Sequence, residues 1–442
     1  MLAGTSHSYA QSMVDELEGL LQSHPLIKAK TNLTAGSAEA ITAARSGYLP
    51  TIKLTGDAGP EYVNSPTRRN TEGEAFFKGR ETVGLVVTQR LFDGYATDAS
   101  VEAAKLTRDY YQSDLRDTRQ SAMLQGIRAY LNVLRFNRLI QLAHENERKV
   151  QDQMNLEDER VIKGSGIASD VLAAKQRLQM AKEARVDFEG QFSVWTATYQ
   201  QLYGHAPEVG GMIDPPLPSS LLPPDLDSAV QQAETNNPTV EMSRKGVEIA
   251  EQRRIGAESG YYPTLDLIGR ANYENDKNAT LGVRRDWSVL LTATWELFSG
   301  FKTQAAVAQA TFQQAAARDS RSFSGRAASE QARTAWYTLR SARERTILLE
   351  NAAVMAEEVW ANTRQRQEKG GNATVQDVLD EEMRINDAKI KHANAYYDMV
   401  LAGYALLSAM GELEMDNISQ MSSPKGAGEQ FTPPAALIAA PR

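Results

Sequence analysis

The sequence repeats itself over about half of its length, and this duplication restricts the possible folds more than any other feature. Three landmarks occur in the same order in each half. They are Gly-Tyr-x-Pro (residues 47–50 and 260–263), Leu-Phe-x-Gly (91–94 and 297–300), and Lys-Gly followed by Asp-Val-Leu (163–172 and 369–379). Because ordered landmarks at a fixed spacing indicate a repeated structural unit, each half is predicted to form the same set of elements.

The duplication divides the chain into four predicted segments. They are a first repeat (1–203), a linker (204–225), a second repeat (226–411) and a tail (412–442). The linker is rich in proline, which is excluded from helix interiors and central strands. The tail loses periodicity and becomes rich in Pro, Ala and Gly, so we expect part of it to be disordered.

Four segments alternate apolar and polar residues with a period of two, which is typical of strands with one apolar face. The predicted strands cover about 48–64, 80–92, 262–275 and 283–298. Each exceeds the roughly 9–11 residues that a tilted strand needs to cross a bilayer. Trp287, Trp295 and Tyr273 lie where aromatic residues border the apolar band of a membrane sheet. The alternative is a soluble antiparallel sheet.

Long proline-free segments follow the strands and are rich in good helix formers. We predict long helices at about 95–162 and 301–369, each followed by a shorter helix, at 168–203 and 374–410. At about 1.5 Å per residue, each long helix reaches roughly 100 Å. Two further helices precede the strands, at about 14–45 and 226–259.

Four strands cannot close a membrane barrel, and open strand edges are not tolerated in lipid because their backbone groups stay unpaired. A membrane sheet of this kind therefore requires several copies of the chain. Three copies, for example, would supply twelve strands around a polar interior.

Composition excludes several other classes of protein. No run of about 18 apolar residues is present, which excludes a helical inner-membrane transporter. The net charge of −8 and the absence of a basic stripe argue against a nucleic-acid partner. The chain has no cysteine, its five histidines are scattered, and it contains no nucleotide-binding or nucleophile motif. We expect no catalytic residue, cofactor or metal, and hence no enzyme. A soluble helical scaffold that binds partners stays open as an alternative.

With these motifs, residues 25–411 resemble the TolC family of outer-membrane factors. The resemblance implies a homotrimer of an α+β membrane protein, in which a trimeric twelve-stranded β-barrel continues into a long periplasmic α-helical barrel. The linker and part of the tail would form an equatorial region. The location implied is the Gram-negative outer membrane. Residues 1–11 lack the features of a signal peptide, so we expect the numbering to start near the mature end of a processed chain.

The function implied by the resemblance is that of a passive exit duct in a tripartite export system. Its partners would be a periplasmic adaptor protein, an inner-membrane transporter of the ABC type, the exported substrate and outer-membrane lipid. The sequence looks more similar to the members that serve type I protein secretion, including secretion of adhesins. Multidrug efflux is the alternative.

The resemblance also implies a periplasmic gate formed by Asp377 and Asp380, with Asp170 as the first-repeat counterpart. Residues three apart share a helix face, so three copies would place six carboxylates around one axis. Such a ring raises the pKa of its members and favours cations. Alternatively, these acids only stabilise a helix N-terminus. Where relatives carry a closing aromatic residue and arginine, this chain has Glu368 and Ala373.

The two turns between the long and the shorter helices are the predicted adaptor contacts. Their residues are Lys163, Gly164, Ser165, Gly166, Lys369, Gly370, Gly371 and Asn372. Charge or bulk introduced there should impair export while leaving the trimer intact.

Overall fold

The computed structural model describes residues 12–164, 167–369 and 374–421 of the 442-residue chain. The elements within these ranges are α1 (Met13–Ser23), α2 (Pro25–Arg45), β1 (Thr51–Val63), α3 (Pro66–Glu72), β2 (Phe76–Phe92), α4 (Ala96–Ile162), α5 (Ala168–Tyr203), α6 (Leu226–Asn236), α7 (Pro238–Glu258), β3 (Thr264–Asn275), β4 (Val283–Thr294), α8 (Lys302–Glu368), α9 (Val375–Met410) and α10 (Met415–Met421). Among the residues described, no helix is both long and apolar enough to cross a membrane.

The helices of the two repeats match in length, because the same local signals set their ends. Helices α4 and α8 each contain 67 residues, and α5 and α9 each contain 36. Pro25 begins α2 and Pro238 begins α7, at a position where the missing proline N–H has no helical partner to lose. Gly204 and Gly411 end α5 and α9 in the left-handed conformation, with φ of 83° and 78°, which glycine adopts without steric penalty.

The chain separates into two compact units, each of which combines segments of both repeats. The sheet unit contains residues 32–113 and 242–323, and the helical unit contains the described parts of 1–31, 114–241 and 324–442. The predicted boundaries at 203 and 226 instead follow the duplication along the chain.

The four strands form one antiparallel sheet in the order β1-β2-β3-β4. In the first hairpin, Thr51 lies opposite Thr88, and in the second, Thr264 lies opposite Thr294. The β2–β3 pairing joins the repeats and places Arg90 opposite Asp266. Because successive side chains point to opposite faces of a strand, this register gives the sheet one apolar and one polar face.

The second hairpin is shorter than the sequence predicts, since β4 ends at Thr294 and not at 298. Its partner β3 begins only at Thr264, after Pro263, so residues 295–298 have no strand beside them in the single chain. By contrast, β2 continues to Phe92 because β3 pairs with its other edge.

The first hairpin differs from its prediction at both ends. Strand β1 begins at Thr51 and not at 48, because Ser46–Tyr48 forms a 3-10 turn. Strand β2 begins at Phe76, four residues earlier than the predicted 80. The short helix α3 was not predicted. Its N-cap is Ser65, whose hydroxyl accepts a hydrogen bond from the Arg68 backbone N–H, and Pro66 follows as the first helical residue.

The helical unit has a continuous apolar core drawn from α1, α4, α5 and α9. Its largest fully buried side chains include Leu17, Tyr130, Tyr199 and Tyr404. The Tyr130 hydroxyl donates to the Ile213 carbonyl at 2.9 Å and accepts from its N–H at 3.0 Å. These bonds attach the proline-rich linker to α4, so part of the linker is ordered against the core.

Candidate functional site

The apolar face of the sheet is exposed along all four strands. Leu54 is 71% exposed, Trp287 is 80% exposed and Leu291 is 63% exposed. In a soluble sheet, residues of this size would be covered by another layer of the protein. A contiguous exposed apolar surface of this kind indicates contact with a partner or a membrane.

The opposite face is polar and carries charges of both signs. Arg80 forms ion pairs with Asp57 at 2.9 Å and with Glu61 at 3.3 Å. Arg90 pairs with Asp266 at 3.0 Å across the β2–β3 contact that joins the repeats. One apolar and one hydrated face is the pattern of a strand that separates lipid from a water-filled interior.

The three predicted interface aromatics all belong to the apolar side of the sheet or its continuation. Trp287 lies opposite Ala271, and Tyr273 lies opposite Arg285, whose guanidinium is 5.7 Å from the tyrosine ring centre. The indole N–H of Trp295 donates to the Tyr261 carbonyl at 3.1 Å. At ~3.3 Å per residue, Trp287 and Trp295 are about 26 Å apart along the chain. At a strand tilt of about 40°, this corresponds to roughly 20 Å along the membrane normal, which is most of the height of an apolar membrane band. Their interfacial role stays a prediction.

Asp377 is the third residue of α9 and forms a reciprocal capping box with Thr374. The Thr374 backbone N–H and hydroxyl both donate to Asp377 at 2.8 Å, and the Asp377 N–H donates to the hydroxyl at 3.2 Å. The backbone hydrogen bond, followed by the hydroxyl bond, lowers the pKa of Asp377 below its ordinary value. Within one chain, this carboxylate therefore stabilises the start of α9.

Asp380 makes a different contact, because it pairs with Arg177 of α5 at 2.6 Å. The Arg177 side chain is 11% exposed and Asp380 is 42% exposed. This ion pair joins a helix of the first repeat to a helix of the second. Arg177 was not among the predicted site residues, although the duplication contains a signal for it. The first-repeat residue that corresponds to Asp380 is Ala173. At this position, therefore, only α9 supplies a carboxylate with which an arginine of α5 can pair.

Asp170 is the third residue of α5 and corresponds in position to Asp377 of α9. It is exposed, its N–H donates to the Ile167 carbonyl at 3.0 Å, and its carboxylate accepts from the Ser169 hydroxyl at 3.4 Å. A carboxylate in the first turn of a helix is favoured by the helix dipole. The two repeats thus share an acid at the third residue of α5 and α9, and they differ three residues later, where only α9 has an acid.

The predicted adaptor turns are described in part. Lys163 is exposed and pairs with Glu159 at 3.3 Å, and Gly164 has a φ of 75°. The N–H of Lys369 donates to the Gln365 carbonyl at 3.1 Å. The remaining predicted turn residues lie outside the described ranges, namely Ser165, Gly166, Gly370, Gly371 and Asn372. Ala373 also lies outside them, and Glu368 pairs with Arg364 of its own helix at 3.1 Å.

These features define a class of membrane protein. The sheet has an exposed apolar face, and no other described strand pairs with its two outer edges. Each repeat joins its strands to a helix of 67 residues. Because strand edges in lipid must be paired, such a sheet is stable only when several copies close into a barrel. Among the described residues, no group of three or more His, Asp or Glu side chains could hold a metal ion.

The family model described as "Outer membrane efflux protein" matches residues 17–205 and 229–412, and the chain belongs to this family, which includes TolC. It is 25% identical over 429 residues to outer membrane efflux protein BepC of Brucella suis, covering 95% of this chain and 90% of BepC. It is 22% identical over 319 residues to alkaline protease secretion protein AprF of Pseudomonas aeruginosa, covering 69% and 64%. The crystal structure of the Vibrio cholerae outer membrane protein VceC matches with a TM-score of 0.77 and 16% identity, covering 90% and 96%.

The predicted fold class and location are therefore confirmed. The protein is an outer-membrane channel that extends into the periplasm, and its sheet supplies four strands of a trimeric twelve-stranded barrel. The family consists of channels that form the exit of tripartite export systems. This membership excludes the alternative of a soluble helical scaffold.

Proposed function

We propose that this chain is the passive exit duct of a type I system that secretes a protein. A periplasmic adaptor and an ABC-type inner-membrane transporter would deliver the substrate. The polar face of the sheet supports this proposal, because Asp57, Arg80, Arg90 and Asp266 present both charge signs to the channel interior. An unfolded polypeptide carries both signs, so a mixed polar lining neither repels nor retains it strongly. The name of the relative AprF also supports protein secretion.

Efflux of small molecules is the second candidate. It is favoured by the name of BepC, which matches 95% of this chain. Both candidates use the same passive duct and differ in the adaptor and transporter that engage it.

We further propose that Asp377, Asp380 and Asp170 form the periplasmic gate, and that the Arg177–Asp380 ion pair holds it closed. The position of all three acids in the first two turns of α5 and α9 supports this assignment. Three copies of the ion pair would resist separation of α5 from α9 in each chain. This contact would replace the closing aromatic residue and arginine of relatives, since Glu368 is already paired within α8.

Single-channel conductance in a planar bilayer tests the gate assignment. The wild-type trimer should conduct cations in preference to anions. Asp377→Asn/Asp380→Asn should lower the cation-to-anion permeability ratio about threefold or more, because a carboxylate ring concentrates cations. Asp387→Asn is the matched control, since Asp387 lies on the same helix, is 61% exposed and pairs with Lys391. Unchanged selectivity in the double variant would place the constriction elsewhere.

Complementation of a strain that lacks its own export channel tests the cargo and the adaptor turns together. With the cognate adaptor and transporter present, the wild-type chain should restore protein in the culture medium. Lys163→Glu/Lys369→Glu should reduce that secretion at least tenfold while the trimer still forms, because both side chains lie in the exposed turns. Restoration of drug efflux without protein secretion would favour the second candidate, and full secretion by the variant would contradict the turn assignment.

A further inference from the structure

Among the described residues of one chain, the two outer strands of the sheet, β1 and β4, each have one edge without a partner strand. In a closed twelve-stranded barrel of three copies, β4 of one copy must pair with β1 of the next. We call this contact between copies the seam. Neither the sheet order nor the family match specifies its register, which decides which side chains meet.

The duplication supplies a template for the seam. Adding 213 to a β1 residue and 206 to its β2 partner reproduces the β3–β4 pairing, so that Thr51 opposite Thr88 becomes Thr264 opposite Thr294. This rule holds from that pair to Tyr62 opposite Phe77, which becomes Asn275 opposite Val283. The two hairpins are therefore equivalent in register, and the β2–β3 contact within the chain is the natural counterpart of the seam.

We infer that β4 of one copy pairs with β1 of the next in the register of the β2–β3 contact. Val87 opposite Gly269 then becomes Ala293 opposite Gly56 of the next copy. Thr88 opposite Ile268 becomes Thr294 opposite Thr55 of the next copy.

Charge complementarity supports this register independently. In this register, Arg90 corresponds to Glu296, and its ion-pair partner Asp266, at 3.0 Å, corresponds to Lys53 of the next copy. The pair across the seam is therefore also oppositely charged, with the acid on β4 and the base on β1. Both residues are exposed in the single chain, and neither forms an ion pair with another described residue. Opposite charges directly across two strands stabilise a sheet, and like charges destabilise it. A shift of the register by one residue would turn Glu296 and Lys53 towards opposite faces.

The early end of β4 has the same explanation. In this register Trp295 lies opposite Leu54 and Phe298 lies opposite Ile52 of the next copy. All four side chains are at least 60% exposed in the single chain. Residues 295–298 would thus complete β4 once the next copy supplies the strand that the single chain lacks.

The glycine turns that follow β2 and β4 also correspond to each other and contribute to the seam. Within the chain, a Cβ placed on Gly94 would lie 2.8 Å from the Ser259 carbonyl oxygen, whereas a Cβ placed on Gly300 would have no atom of a described residue within 4 Å. By the same correspondence, Gly300 faces Ser46 of the next copy. Both glycines have positive φ, so the second turn is already shaped for this contact. The inference rests on the trimeric barrel and is independent of the cargo or the gate.

Disulfide cross-linking tests the register, and the absence of cysteine from the chain makes the background clean. Ala293→Cys/Gly56→Cys and Thr294→Cys/Thr55→Cys are two consecutive pairs, one of which is of the closer, non-hydrogen-bonded type. Oxidised trimers in membranes should give covalent dimers and trimers in at least one pair. The paired positions lie three strands apart within one chain, roughly 14 Å, which is too far for an internal disulfide.

Thr294→Cys/Gly59→Cys is the control for a shifted register, since Gly59 lies about 13 Å further along β1. Cross-linking of this pair in preference to both predicted pairs would overturn the proposal.

Charge exchange tests the ion pair with a separate readout. Lys53→Glu and Glu296→Lys should each lower the fraction of trimer that survives in dodecyl sulfate, by about fivefold. The double variant Lys53→Glu/Glu296→Lys should restore it, because the attraction returns with its sign pattern reversed. Trimers unaffected by either single reversal, or a double variant no better than the singles, would refute the Glu296–Lys53 contact.

Discussion

Gly411→Ala should destabilise the helical unit by about 3–5 kcal/mol, whereas Gly204→Ala should cost only about 1–2 kcal/mol. The two glycines end equivalent helices, α9 and α5, with nearly the same positive φ. Both substitutions therefore share the penalty for a side chain in the left-handed region. They differ in the space available to the new methyl group.

At Gly411, an added Cβ would lie 2.5 Å from the carbonyl oxygen of Asn236 and 2.9 Å from the Cα of Asn237. These are backbone atoms at the joint between α6 and α7, and they cannot turn away as a flexible side chain would. The Gly411 carbonyl also accepts a buried hydrogen bond from Gln120 at 2.7 Å. At Gly204, no atom of the residues that the structure describes lies within 4 Å of the added Cβ.

Guanidinium unfolding of the detergent-solubilised trimer, followed by circular dichroism at one protein concentration, measures this difference. The unfolding midpoint of Gly411→Ala should fall well below that of Gly204→Ala. Equal midpoints would mean that the α6–α7 joint moves aside at little cost, and that the close approach at Gly411 is not what stabilises this part of the core.

The duplication made most of the fold predictable, because every strand and long helix had a second copy in which to recognise it. The helices predicted at 14–45 and 226–259 are each divided in two, because Pro25 and Pro238 begin new helices. Other differences depend on contacts and not on local pattern. The end of β4 at Thr294 depends on which residues of β3 are available for pairing. Helix α3 is seven residues long, which is too short for an apolar periodicity to be recognised. Its Ser65-Pro66 start is nevertheless a helix-start signal that the sequence contains.

The candidate gate was predictable only as a position. Spacing placed Asp377 and Asp380 on one helix face, and the alternative that these acids stabilise a helix N-terminus describes Asp377 within one chain. The ion pair of Asp380 joins residues 203 positions apart in sequence, and no local pattern connects them. Its importance is visible only once α5 and α9 are known to be neighbours.

Arg177→Ala should shift the trimer strongly towards the open state, in the largest functional effect that we expect from a single substitution. Arg177 is nearly buried and bridges α5 to Asp380, so its removal deletes a contact between the two helices in every copy. A partly exposed ion pair of good geometry contributes about 1 kcal/mol. If the ends of α5 and α9 near Asp380 open together in all three copies, the contributions add to about 3 kcal/mol. This corresponds to roughly a 150-fold change in the closed-to-open ratio.

Arg384→Ala is the matched control, because Arg384 occupies the corresponding position of the second repeat. It is 71% exposed and pairs with Glu381 of its own helix at 2.8 Å, so its removal breaks an ion pair within one helix and not one between helices. In planar bilayers, Arg177→Ala should increase the open probability and the mean conductance, while Arg384→Ala should resemble the wild type.

The charge exchange Arg177→Asp/Asp380→Arg distinguishes loss of the ion pair from a general loosening of the packing between α5 and α9. It reverses the bond while keeping its partners, and should return the open probability most of the way to that of the wild type. An Arg177→Ala channel that stays closed, or an exchange variant as open as Arg177→Ala, would show that the closing energy comes from contacts between chains. The Arg177–Asp380 bond would then only hold α5 and α9 in register within each copy.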